Sequence, residues 1–303
     1  MLNVNGKFQK ALFSKKFIFT AEMGPPKGTN LETFSDHLAL IKGLVDGINV
    51  TDNQSSVMRY PSIGGCLLIK EAGGDPILQM TCRDRNRLAL GSELLFAASR
   101  GIHNILCLTG DSILLGDQPQ AKQVFDLDSV QLIRMVKEFG AGRDPGGNAL
   151  DGPVDFCVGA CVTPGADPIE PQLLKFEKKV DAGAEFFQTQ AVFDLDNLRR
   201  FMDYARRFPV KILAGIVLIN SVGMANYMNN NVPGILVPQV LMDEMASVSK
   251  EDRLKKGIEI AAGIIRTIKE EEICDGVHIM AIGKEEAATD IIRLAGDLSC
   301  PLQ

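Results

Sequence analysis

The sequence predicts a single (β/α)8 barrel. Short apolar, β-rich runs alternate with helical patterns from end to end, and the runs number eight. They read as near-continuous apolar stretches, as strands buried on both faces of a parallel sheet do. Eight strand–helix units in 303 residues fit a closed barrel. A doubly wound open sheet is the main alternative, but no G-x-G-x-x-G follows the first strand.

The elements follow in order. Strand one is predicted at 17–22 (FIFTAE), and 31–43 has helical apolar spacing. Strand two is 45–51. The helix at 61–72 opens with Pro, as helices often do. Strand three is 76–82 (PILQMTC), and the helix at 85–100 stops before Gly101, a C-cap signal. Strand four is 104–110 (NILCLTG). A polar stretch, 111–127, precedes a helix at 128–139. Residues 141–153, AGRDPGGNALDGP, are a Gly/Pro-rich loop. They do not divide the chain 1–303 into two domains, because neither half has enough strands to close alone. Strand five (156–163) and helix 171–182 follow, then strand six (185–190) and helix 195–207. Strand seven (210–218) leads to helices at 221–230 and 250–271. Strand eight is 276–282, and the last helix is 285–295.

Composition narrows the function. Apolar residues make up 46% of the chain and charged residues 23%, enough for a large core and against disorder. A net charge of −6 argues against a general nucleic-acid surface, which needs a basic patch. Seven cysteines (66, 82, 107, 157, 161, 274 and 300) include no C-x-x-C pair, so no zinc knuckle or cluster motif is visible. Reduced, mostly buried thiols are expected. The N-terminus lacks the apolar core of a signal peptide, and no apolar run approaches the roughly 20 residues of a membrane span. A cytoplasmic location without membrane contact is the expectation.

Barrel chemistry gathers at the C-terminal ends of the strands. There the sequence places Glu22 after strand one and Thr51-Asp52-Asn53-Gln54 after strand two. Gln79 and Thr81 lie on strand three, and Thr109-Gly110-Asp111 ends strand four. Gln188-Thr189-Gln190 ends strand six. Two carboxylates, Glu22 and Asp111, therefore face one mouth among neutral donors and acceptors. This suits a large, flat, polar-edged ligand. No His is expected at a strand end: His278 reads as early in strand eight, which argues against a His-based metal centre or a Ser–His relay. No strand carries a Schiff-base lysine. Each residue also has a bland use. Glu22 could cap a helix or pair a lysine, and Asp111 could be a turn residue. The Gly-Ala steps in VGAC and DAGA suit close packing. Met224, Met228, Met242 and Met245 suit a helix core better than a cofactor box.

The same residues resemble the methylenetetrahydrofolate reductase family. F-T-A-E-M-G-P-P (19–26) looks like its opening strand, Val50-Thr51 its second, and Thr81-Cys82 the end of its third. Leu108-Thr109-Gly110-Asp111 resembles its flavin-binding turn. K-V-D-A-G-A (179–184) and Q-T-Q (188–190) before Phe193-Asp194 resemble its sixth unit. The resemblance implies a non-covalent flavin, FAD with FMN as the alternative, and 5,10-methylenetetrahydrofolate as substrate. It implies Glu22 as general acid and Asp111 beside the flavin. Gln190 would hold folate, and Thr51, Gln79, Leu108, Thr109, Gly110, Gly159 and Lys179 would contact flavin, Lys179 at a phosphate. The likeness covers the catalytic barrel, without the regulatory extension of animal members, and an oligomer is expected.

Three departures matter. Gln79 replaces a His, and Thr109 replaces an Arg. Met224 and Met228 stand where a Gln and a Phe usually hold nicotinamide nucleotide. Met cannot stack as Phe does. Electrons are therefore expected from an iron–sulfur or flavin partner subunit rather than from free NADH. A folate- or pterin-dependent methyltransferase barrel and a non-catalytic subunit of a redox complex are the competing readings.

Overall fold

The computed structural model describes residues 5–14, 16–152 and 154–296. Helix α1 (Gly6–Leu12) comes first, then β1 (Ile18–Met23), α2 (Glu32–Ile41), β2 (Gly47–Val50) and α3 (Ser62–Glu71). β3 (Pro76–Thr81), α4 (Arg87–Ser99), β4 (Asn104–Leu108) and α5 (Ser129–Gly140) complete the first half. The second half runs β5 (Cys157–Val162), α6 (Glu170–Asp181), β6 (Phe186–Ala191), α7 (Leu195–Ala205) and β7 (Lys211–Val217). It ends with α8 (Val222–Asn231), α9 (Gln239–Ala246), α10 (Arg253–Glu270), β8 (Gly276–Met280) and α11 (Ala287–Ala295). The strands are all parallel and close in sequence order, with β1 paired to β8. The predicted barrel is the observed one.

Strand side chains alternate between the helix layer and the barrel interior. Outward residues such as Ile48, Leu78, Val158 and Ile216 join the helices in the main core. The interior is stacked in layers. The lowest holds Ile18, Ile77, Leu106, Phe186 and Leu213, with Phe8 and Leu12 of α1 packed against them. The Phe8 ring meets Phe186 edge-on, with centroids 5.0 Å apart. α1 therefore plugs the N-terminal end of the barrel. Asp75 anchors it by accepting the Phe8 N–H at 2.8 Å. Above the plug lies a polar layer of Thr20, Asn49, Gln188 and His278, and above that the mouth.

Two helices differ from expectation. α1 has only seven residues, too few to show a period. α9 has eight and follows Pro238, in a stretch the sequence reading left open. Most strands end a residue or two inside their predicted limits. β4 stops at Leu108 because Thr109 turns aside: its hydroxyl accepts the Ser129 N–H at the start of α5. Gly110 then takes a φ of +94°, open to glycine at little cost. The 141–153 loop is knotted by Asp144, whose carboxylate accepts N–H bonds from Gly146 and Asn148. Its Pro153 lies outside the described residues.

Six cysteines are free thiols, five of them buried; Cys300 lies outside the described residues. Among the described residues, no helix is long and apolar enough to cross a membrane.

Candidate active site

Glu22 is the third and last interior position along β1, after Ile18 and Thr20, and faces the mouth, with its side chain 11% exposed. Its two oxygens have separate donors. Gln54 Nε2 gives to Oε1 at 3.1 Å, and Gln79 Nε2 gives to Oε2 at 2.9 Å. Among the described residues no lysine or arginine pairs with it, which does not favour the bland reading of a strand-end salt bridge. His278 Nε2 lies 3.7 Å from Oε2. The sequence reading kept His278 away from the strand's C-terminal end, which holds, but gave it no place near Glu22. His278 is the third residue of a five-residue strand, and its side chain points into the barrel directly under Glu22. The β-period could have placed it inside; the register that brings it to β1 could not be read.

Gln54 and Gln79 line a cavity of about 280 Å³ at the mouth. Around it stand Asp52, Asn53, Thr81, Arg83, Leu108, Thr109, Gly110, Asp111, Lys179 and Gln190. Most of the predicted site residues are thus brought together. Asp111 and Gln190 are exposed at its rim. Thr51 is not among the residues lining the cavity; it is 1% exposed, and its hydroxyl has no hydrogen-bond partner among the described residues. Gly159 is not part of the wall. The space its side chain would take is filled by the Phe186 ring, 2.2 Å from an ideal Cβ, so this glycine serves interior packing.

Basic groups flank the cavity. Lys179 on α6 is buried and donates to the Cys161 carbonyl at 2.6 Å. Burial holds its ammonium below the usual lysine range. Lys175 lines the same wall. At Thr109 the cavity adjoins a groove of about 550 Å³ along the start of α5, where Arg134 and Lys178 stand beside Phe125 and Leu127.

The sequence reading missed the scaffold behind this wall. Arg83, 1% exposed, donates to Asp84, to Ser56 Oγ at 3.0 Å and to the Asn53 carbonyl at 3.2 Å. Burial raises the Asp84 carboxyl, but the Arg83 bonds and charge outweigh it and hold the group below its usual range. Asp52 accepts both the N–H and the hydroxyl of Thr81 at 2.8 Å and pairs with Arg85, which reaches on to Glu93. The TCRDR run was the only available signal, and charge next to a strand end is usually solvated.

Met228 is buried, and half-buried Met224 packs with it against Val237 and Met245. Neither lines the cavity. The exposed aromatic of α8 is Tyr227, 63% accessible, with Leu236 and Val240 also exposed.

Fold and mouth define the class: an α/β barrel with a carboxylate and a ring of amide, hydroxyl and basic groups at its C-terminal face. The chain belongs to the methylenetetrahydrofolate reductase family, whose model matches residues 7–296. It is 26% identical over 286 residues to the 5,10-methylenetetrahydrofolate reductase of Salmonella typhimurium, covering 91% of this chain and 89% of that one. It is 25% identical over 237 residues to methylenetetrahydrofolate reductase 1 of Schizosaccharomyces pombe. The chain spans only 36% of the length of that relative and 44% of a Caenorhabditis elegans one. An uncharacterized protein from Clostridium thermocellum that binds two copies of 5-methyl-5,6,7,8-tetrahydrofolic acid shares the fold, with TM-score 0.64, 19% identity and 96% and 97% of the chains covered.

Proposed function

We propose that this chain reduces 5,10-methylenetetrahydrofolate to 5-methyltetrahydrofolate with a bound flavin. One observation carries the reading: Glu22, a largely buried carboxylate with no lysine or arginine bonded to it among the described residues, stands behind the amide-lined cavity at the mouth. The methylene bridge must open to an iminium before it can accept hydride. Opening requires a proton on the leaving ring nitrogen, which is the work of a general acid. Glu22 fills that role, and its Gln54 and Gln79 donors accommodate the carboxylate that results. Gln190 at the rim is the folate contact.

The residues present fit a flavin. Thr51 offers an unpartnered hydroxyl, and the Gly110 turn brings backbone close to the cavity. Gln79, Leu108, Thr109, Gly110, Asp111 and Lys179 would hold the ring and its nearer phosphate. The adjoining groove, with Arg134 and Lys178, suits the longer FAD better than FMN. When bound, the flavin would supply the hydride. Asp111 sets a negative charge at the cavity edge, which opposes charge on the reduced ring and favours the cationic substrate.

Electrons reach the site from a partner redox subunit, on this reading. Its support is that Met224 and Met228 sit in a helix core instead of at the mouth. Replacing Glu22 by Gln tests the acid. Folate-dependent flavin reoxidation should fall by about 10²–10⁴ with flavin content unchanged. Loss of flavin instead would make Glu22 structural.

A further inference from the structure

Residues other than glycine rarely take a positive φ, because their Cβ crowds the backbone there. The loop after β2 has three such residues within one tight turn: Asn53 at +45°, Ser55 at +54° and Ser56 at +59°. Asparagine tolerates this region, and serine does so less readily. Strain of this kind persists only where surrounding contacts enforce it, and it gathers at functional sites. Here the contacts exist. Buried Arg83 donates to the Asn53 carbonyl at 3.2 Å and to Ser56 Oγ at 3.0 Å, so one guanidinium bridges both ends of the turn. The Ser56 hydroxyl donates onward to the Ser112 carbonyl at 2.9 Å. Asn53 Nδ2 donates to Asp84, and Asn53 Oδ1 accepts the Arg59 N–H at 3.0 Å. The residue this clamp presents to the barrel is Gln54. Its Nε2 donates to Glu22 Oε1 at 3.1 Å, while Gln79 on β3 donates to Oε2 at 2.9 Å. A carboxyl held by one oxygen can still swivel about its last side-chain bond. A donor on each oxygen, from two separate elements, fixes its plane. Gln79 rides on a strand. Gln54 rides on a loop, and holds Glu22 only as firmly as the loop is held.

We propose that Gln54 is a positioning residue for Glu22, and that the strained turn 53–56, clamped by Arg83, holds its amide against Oε1 of that carboxyl group. This rests on Glu22 being the acid. In that step the Glu22 O–H proton passes to the leaving ring nitrogen, and the carbon–nitrogen bond breaks with its electron pair going to that nitrogen. Gln54 neither gains nor loses a proton. With its plane fixed, the carboxyl presents its proton in one direction instead of several. The amide N–H is already in place when the carboxylate forms, so no group has to reorganise as charge develops.

Gln54→Met keeps the length of the side chain and removes the donor. Single-turnover reoxidation of reduced flavin by 5,10-methylenetetrahydrofolate should slow about 10–100-fold. Flavin content, melting temperature and the folate concentration at half-maximal rate should stay as in wild type. A rate within about two-fold of wild type overturns the positioning role. Loss of flavin, or weaker folate binding at an unchanged maximal rate, also overturns it, since Gln54 would then be a binding residue. Arg83→Lys tests the turn, because one ammonium cannot bridge the Asn53 carbonyl and the Ser56 hydroxyl as the guanidinium fork does. It should slow the same step, and adding it to Gln54→Met should slow the step no further. Losses that multiply in the double variant overturn the link between turn and amide. If Arg83→Lys does not fold, Ser56→Ala removes one arm of the clamp and enters the same cycle, with the same two outcomes. A wild-type chain whose flavin folate never reoxidises overturns the acid reading, and the positioning role with it. A normal wild type with an indifferent Gln54→Met overturns the positioning role alone.

Discussion

Gly110 and Arg83 hold each other in place at the residue scale. A Cβ on Gly110 would lie 3.0 Å from Arg83 Cβ, at a φ of +94° that disfavours L side chains. Gly110→Ala should therefore cost about 1–3 kcal/mol in unfolding free energy and weaken flavin retention, read by denaturation and by flavin titration. Asp84 gives a pH signature. Arg83 holds its carboxyl below 3.8, its unfolded value. Between those two values the unfolded chain binds more protons than the folded one, so stability falls as pH falls. The contribution is complete above 3.8 and lost below the folded value. Asp84→Asn should be less stable at neutral pH and should decline less steeply below pH 3.8 in pH-dependent unfolding. At this scale the sequence was partly legible. Glu22 and Asp111 announce themselves as polar residues ending apolar runs. His278 and Asn49 do not, because a polar side chain inside a strand reads the same whether it meets water, helix or a partner across the barrel.

The element scale turns on α1. Phe8 is fully buried against Phe186, and the Gly47 backbone approaches its ring. Phe8→Ala should cost about 3–5 kcal/mol, measured by chemical denaturation, because the cavity left beneath the strands cannot collapse. Flavin and folate binding at the other end should persist in the folded fraction. Strands and long helices were legible because each repeats its pattern. Gly6–Leu12 is a single interior plug whose reason for being helical lies in Asp75 and Phe186, far away in sequence. α8 illustrates the opposite limit. Its methionines and those of α9 were read as a helix core, and Met228 of α8 and Met245 of α9 are buried in one.

At the scale of the whole molecule the polar cavity and its basic flank lie on one face, the C-terminal end of the barrel, and the proposed electron source is tested there. Purified anaerobically, the chain should carry FAD, identified by chromatography after denaturation. Stopped-flow mixing should show that NADH alone bleaches this flavin too slowly for turnover. Fast bleaching by NADH would remove the partner-subunit reading, with exposed Tyr227 the first stacking surface to examine. The barrel itself was legible at this scale because closure needs only eight buried parallel strands. Which interior positions meet was not, since that depends on barrel shear rather than on local pattern.

The plug at the base has a consequence for turnover. With α1 and a greasy lowest layer beneath it, the polar layer is sealed from below by Phe8, Leu12, Ile18, Ile77, Leu106, Phe186 and Leu213 among the described residues. On the proposed reading Glu22 is recharged from above, through the same opening that would admit the folate. Departure of product and arrival of the next proton then share one opening, and a solvent deuterium effect should report on mouth clearance as much as on bond making.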